Sequence, residues 1–111
     1  MNGIKQTFHY KEESVRAEGH PCVSMVVEKD ASVTADIEKG TILSWNGEKV
    51  EMHKIGANSP RLVAEFLIPK DDTHGTVITH GSVNKKLLKI EGAAATEDSI
   101  RTLFRAGVFA V

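Results

Sequence analysis

The sequence predicts a mainly β domain with one short C-terminal helix and a flexible N-terminal arm, on three observations. Residues 41–53, TILSWNGEKVEMH, set Asn46-Gly47 between two alternating apolar runs. Residues 22–27, 62–68 and 76–80 are short apolar runs rich in β-branched side chains and bounded by Gly, Pro or Asp, the pattern of strands between turns. Near the end, Thr96 precedes Glu97 and Asp98, and Gly107 follows the apolar positions Ile100, Leu103 and Phe104. Those are the start and stop signals of a helix.

The elements follow in order. Residues 1–20 carry scattered apolar side chains among alternating charges from Lys5 to Glu18, with no sustained period of 2 or 3.6. Such a segment cannot offset its ordering entropy alone, so it reads as an arm, and residues 21–111 as the β-rich domain. The alternative for the arm is a first strand of the main sheet, through Thr7-Phe8-His9-Tyr10. Gly19-His20-Pro21 breaks the chain before the strand at 22–27, CVSMVV. Residues 29–39 are polar, a loop with a weak strand near 33–37.

Asn-Gly is the strongest short hairpin signal, because both residues tolerate the positive φ of a type I′ turn. Centring the turn on Asn46-Gly47 pairs Trp45 with Glu48, Leu43 with Val50 and Thr41 with Met52. Leu43, Trp45, Val50 and Met52 then share one face, and Ile42 is the misfit. Residues 62–68, LVAEFLI, are apolar on both faces except Glu65, which describes a central buried strand. Thr76-Val77-Ile78-Thr79-His80 is a further strand, closed by Gly81. Residues 83–90 fit either a helix or a strand. The helix buries Ile100, Leu103 and Phe104, and residues 108–111 return as a terminal strand.

Composition bounds the function. The chain has 111 residues, one domain's worth. Fourteen basic against fifteen acidic residues leave a net charge of −1, so the broad positive footprint of a nucleic-acid binder is absent. The single cysteine, Cys22, forms no internal disulfide. No run is long and apolar enough to span a membrane, and the first twenty residues lack the apolar stretch of a signal peptide. These features point to a soluble, non-secreted protein.

Catalytic and cofactor signatures are equally sparse. Histidines stand at 9, 20, 53, 74 and 80, without the tight spacing of a zinc site. Cys22 lies in an apolar strand pattern, where an inert core thiol is expected rather than a nucleophile paired with His20, His74 or His80. The glycines form no phosphate-binding loop. Asp71-Asp72 reads as a loop end, and Lys85, Lys86 and Lys89 as a solvated face. Trp45, Phe66 and Phe104 are assigned to the core. We therefore expect no enzyme, no metal and no cofactor, and a role in binding or building.

Three segments, in chain order, resemble the head decoration protein D family of lambdoid tailed phages. Lys5-Gln6-Thr7-Phe8-His9-Tyr10 resembles the family's Thr-Phe-x-His-Tyr arm, one residue shorter. Ile42-Leu43-Ser44-Trp45-Asn46-Gly47, continuing to Val50, resembles its Leu-Val-Ala-Trp-Asp-Gly hairpin. Arg101-Thr102-Leu103-Phe104-Arg105-Ala106-Gly107 and the apolar end resemble its Arg-Thr-Ala-Phe-Ala-Gly terminus. Between arm and hairpin this chain is charged where the family is rich in Pro, Ala and Gly.

The resemblance implies a β-clip-like homotrimer on the outer surface of the virion capsid, at threefold and quasi-threefold sites. Its partner would be the major capsid protein, with neither nucleic acid nor membrane involved. The arm, Lys5 to Tyr10, would add a strand to that partner and cement the expanded shell against packaged DNA. The protein would meet its shell in the host cytoplasm during assembly. The competing reading is a small β-barrel module binding a ligand or an oligonucleotide, and a small hydrolase using Cys22 is a third.

Overall fold

In the computed structural model, which describes residues 14–52, 61–90 and 92–111, the chain is mainly β with one short C-terminal helix. The strands are β1 (Val23–Glu28), β2 (Ile42–Trp45), β3 (Val50–Met52), β4 (Arg61–Ala64), β5 (His74–Val83), β6 (Lys89–Ile90), β7 (Ala93–Ala94) and β8 (Val108–Ala110). The helix α1 covers Glu97–Arg105. The main sheet runs β1-β5-β4-β2-β3, antiparallel throughout, and β8 joins the far end of β5 in parallel.

This sheet is buried on both faces, because adjacent residues of its central strands point to opposite sides. Ile42, Val63 and Ile78 face one core with Val15, Val83, Leu88, Ile90, Leu103 and Val108. Leu43, Ala64 and Val77 face a second core with Val27, Val33, Ile37, Val50 and Ile68. The misfit Ile42 is thereby explained, since its side of the hairpin meets the first core instead of water. The chain after β1 also bridges to β3: Lys29 pairs with Val50, and the Asp30 N–H donates to the Val50 carbonyl at 2.8 Å. The sheet therefore curls, and its two edges converge at that end around the second core.

The hairpin forms with a register two residues from the expected one. Trp45 faces Val50, Ser44 faces Glu51 and Leu43 faces Met52, so the turn centres on Gly47-Glu48. Gly47, at φ +105°, then holds the first central position, where a type II′ turn places glycine. Asn46 sets this register from outside the turn. Its Oδ1 accepts from the N–H groups of Glu48 (3.1 Å) and Lys49 (2.9 Å), and its amide donates to Asp30 Oδ2 at 2.9 Å. A shift of two keeps every side chain on its face, which is why alternation alone does not separate the two registers.

Other boundaries also differ. Residues 33–37 form no strand; Ile37 is held instead by paired backbone bonds to Ile68, at 2.9 and 2.8 Å. Strand β4 ends at Ala64 rather than 68, and Phe66 and Leu67 are exposed. Strand β5 continues through Gly81 to Val83. There φ is +118°, and a Cβ would lie 2.6 Å from the Cys22 Cα. The ambiguous residues 83–90 resolve into the end of β5, a 3₁₀ turn (Lys85–Leu87) and β6. Helix α1 is capped as expected, Thr96 Oγ1 accepting from the Ser99 N–H at 3.2 Å. Phe104, expected in its buried stripe, is 64% exposed, while Leu103 alone is fully buried.

Gly40 is the tightest point between hairpin and 3₁₀ turn. Its φ is +86°, and an added Cβ would lie 2.0 Å from the Leu87 carbonyl oxygen. Gly40→Ala therefore meets both left-handed strain and a backbone clash, and is expected to cost about 2 kcal/mol or more. Gly47→Ala meets the strain with open space around it, and should cost only about 1 kcal/mol. Urea denaturation of the two variants, at unchanged m-value, checks the ordering.

Candidate functional site

Residues 14–20, grouped with the arm by the sequence, lie against the body. Val15 is buried in the first core. Its carbonyl accepts from the Asn84 N–H at 2.8 Å, and the Ala17 N–H donates to the Ser82 carbonyl at 3.0 Å. The Ser82 N–H in turn donates to the His20 carbonyl at 3.0 Å. Backbone pairing thus carries the sheet past β1 to Val15, and the body begins there rather than at residue 21. The arm residues Lys5, Gln6, Thr7, Phe8, His9 and Tyr10 lie outside the described residues.

Beside this root sits the one buried carboxylate among the described residues, Glu65, 6% exposed. Position 65 follows β4, and its N–H donates to the Thr76 carbonyl of β5 at 3.1 Å. The carboxylate receives the Arg16 Nε on Oε2, with Arg16 Nη2 3.4 Å from Oε1. The Ser24 hydroxyl of β1 donates to Oε1 at 2.7 Å, and itself accepts from Arg16 Nη2 at 2.6 Å. Burial alone would raise the Glu65 pKa. The hydrogen bonds from Arg16 and Ser24, with the attraction of the guanidinium, outweigh it and hold the group below the ordinary carboxylate value. Three segments are joined at this node: the root, the start of β1 and the end of β4.

Next to the node runs the edge of the sheet. Among the described residues β1 pairs with β5 alone, and Val23, Met25 and Val26 are exposed, Val26 by 66%. Phe66 and Leu67 flank the same stretch of β5 from its other side, since Val26 and Glu65 both neighbour Thr76. Around the edge, Met25, Val27, Trp45 and Leu62 line an apolar cavity of about 230 Å³. A wider cleft, about 560 Å³, lies between the 3₁₀ turn and α1 and is bordered by the Lys85–Glu97 ion pair at 3.6 Å.

The remaining candidates are dispersed. Leu43 and Val50 are buried in the second core and Trp45 packs half-buried beside them, while Asn46 and Gly47 form the exposed turn. Phe66, assigned to the core by the sequence, is 59% exposed, in the bend that follows the end of β4 at Ala64. His20 and His80 both contact the Phe109 ring, at centroid distances of 4.7 and 5.8 Å, and Phe104 stacks on it edge-on at 5.2 Å. Cys22 is half-buried, its thiol donating to the Ser82 carbonyl at 3.1 Å. Asp71 and Asp72 sit in an exposed turn, and Lys89 pairs with Glu38. Among the described residues no three His, Cys, Asp or Glu side chains converge as a metal site, and no helix is long and apolar enough to cross a membrane. No family model, curated protein or solved structure matches the chain.

Sequence reasoning missed the node and the exposed edge. The signal for the node was present, a lone Glu65 inside an apolar run. The edge left none, since exposure of β1 depends on its place in the sheet.

The node makes stability pH-dependent in a definite direction. A carboxylate whose folded pKa is depressed stabilises the fold above its unfolded pKa, and the contribution disappears as pH falls through the folded value. The stability gap between wild type and Glu65→Gln should therefore be constant above about pH 5 and close below the ordinary carboxylate value of about 4.3. Denaturation midpoints measured from pH 3 to 7 check this, and a gap that widens toward acid would contradict it.

Proposed function

We propose that this chain is a phage head decoration protein. It binds the outside of an expanded capsid as a homotrimer, its β-clip-like body on the surface and its N-terminal segment added as a strand to the major capsid protein. The three resembling segments, in chain order from residue 5 to the C-terminus, support this reading. The observation that carries it is the fixed root: Val15 and Arg16 are fastened to the body immediately after the thirteen residues that would reach the shell.

A strand added to a partner gains main-chain hydrogen bonds and side-chain register, offset by its ordering cost, so one arm binds weakly. Three arms on one trimer make the later contacts intramolecular, which raises avidity by roughly 10²–10⁴. A fastened root transmits that attachment to the body instead of letting it slip along a loose tail.

The competing reading, a small β-barrel binding module, has one feature in its favour, the apolar cavity beside Trp45 at the converging edge. It predicts a monomer whose Trp45 fluorescence shifts on titration with an oligonucleotide or an apolar ligand.

Removing residues 1–13 tests the proposal without touching Val15. The truncated protein should keep its folded mass and denaturation midpoint, while occupancy of purified expanded capsids falls at least tenfold. Equal occupancy by both forms overturns the role of the arm.

A further inference from the structure

We infer that the open side of β7 is a docking strand for an extended, acidic peptide segment of another protein. Nothing in it depends on the decoration reading.

The small sheet of β6 and β7 has one closed side and one open side. Lys89 stands opposite Ala94, and Ile90 opposite Ala93. The Ala95 N–H donates to the Leu88 carbonyl at 3.0 Å, while the Lys89 N–H turns the other way, to the Gly40 carbonyl at 3.0 Å. Antiparallel pairs alternate between those that exchange backbone hydrogen bonds and those that do not, so Lys89 and Ala94 form a pair that does not. The Ala94 N–H and C=O therefore point away from β6, to a side where no strand lies among the described residues. The backbone is still extended at Thr96, with φ −83° and ψ 164°. Edge strands are usually guarded by charged side chains or Pro. Here the stretch reads Gly92-Ala93-Ala94-Ala95, and both residues of β7 are exposed. No side chain in it is long enough to hold a second backbone away.

The cleft of about 560 Å³ opens along this side, with Ala94 and Ala95 in its lining. It adjoins a hollow of about 380 Å³ against α1, the two sharing Lys85, Glu97 and Ile100. Across both, the ionisable side chains are Lys85, Lys86 and Arg101 against Glu97 alone. Arg101 also meets Asp98 at 3.1 Å on the helix surface, and the Val111 oxygen at the border accepts the Lys85 N–H at 2.9 Å. The chain as a whole carries a net charge of −1, so the groove reverses that sign locally. Lys85 and Glu97 meet at 3.6 Å through exposed side chains, a contact worth little in water and one that a partner's carboxylate can replace. The backbone at Ala94 thus calls for a strand, and the groove beside it for a strand carrying acidic side chains. Main-chain bonds then supply affinity and alternate side chains supply specificity.

Amide NMR of the full chain, titrated with an end-capped hexapeptide alternating glutamate and valine, is the test. The Ala94 and Thr96 amides should shift, with saturation below millimolar peptide. Exchanging the peptide's glutamates for lysines, or methylating its backbone nitrogens, should each weaken binding about tenfold. Ala94→Pro, which removes the outward N–H, and Lys85→Glu should do the same, while Lys70→Glu at a distant exposed turn should not. Where Ala94→Pro disturbs the spectrum beyond the edge, Lys85→Glu and the methylated peptide decide. Absence of binding at millimolar peptide overturns the assignment, as does a lysine peptide that binds equally well. Shifts at Val23 to Val27 in place of Ala94 overturn it too, since the strand then adds to β1. So does an oligothymidylate that shifts Lys85 and Lys86 more strongly than the peptide. Binding that appears only after removal of residues 1–13 also overturns it, because the chain's own segment then holds the edge.

Discussion

The organisation of this molecule depends on burying both faces of a single curled sheet. The neighbours Ile42 and Leu43, Val63 and Ala64, and Val77 and Ile78 are apolar in both directions, so neither face of the central strands can be left to water. At about 25 cal/mol per Å² of apolar surface, exposing either face would forfeit more than a domain's net stability of roughly 5–15 kcal/mol. Two separate coverings follow. The C-terminal helix, β8 and the root at Val15 close one side, and the loop holding Val33 and Ile37 closes the other.

That demand explains what is left over. With β5, β4 and β2 central and the edges converging only at the Lys29–Val50 end, the first half of β1 has β5 beneath it and no second neighbour among the described residues. Its apolar side chains stay outside because both coverings are committed elsewhere. The buried Glu65 belongs to the same economy of space. Where β4 stops and the chain bends to expose Phe66 and Leu67, the carboxylate turns inward and is tolerable only because Arg16 and Ser24 reach it. Removing Arg16 would leave the buried carboxylate without its charge partner, whereas removing Glu65 would leave a half-exposed guanidinium that water can solvate.

Much of this was legible in the sequence. Strand identity in β1, β2, β3, β4 and β5, the helix with its Thr96 cap and Gly107 stop, and the return of β8 all follow from local chemistry that acts over a few residues. What was not legible required knowledge of a distant neighbour. The hairpin register turned on Asn46 bonding to Asp30, sixteen residues away. The burial of Leu103 beside an exposed Phe104 depended on how α1 sits over the sheet. The apolar run at 62–68 predicts a buried strand throughout, yet the strand stops at Ala64, Phe66 and Leu67 turn outward, and Ile68 is buried again through its pairing with Ile37. Of the candidate site, the residues of the arm were named from resemblance, while the root that would make it useful lay in the tertiary contacts of Val15 and Arg16.

The position of that root has a quantitative consequence for the proposed cementing role. Under that proposal, a tether of twenty residues and one of thirteen would differ in the effective concentration with which they present a terminal strand. Since effective concentration falls roughly as the −3/2 power of tether length once the span is reached, the shorter tether presents its strand about twice as effectively. With the three arms of the proposed trimer the advantage would compound over the second and third engagements. Thirteen residues still reach up to about 45 Å when extended, more than the 32 Å middle dimension of the subunit. Under the proposed role, fastening residues 14–20 to the sheet would trade reach for tighter coupling between body and arm. The contact between half-exposed Arg16 and buried Glu65 stands where, under that proposal, load on the arm would first enter the fold.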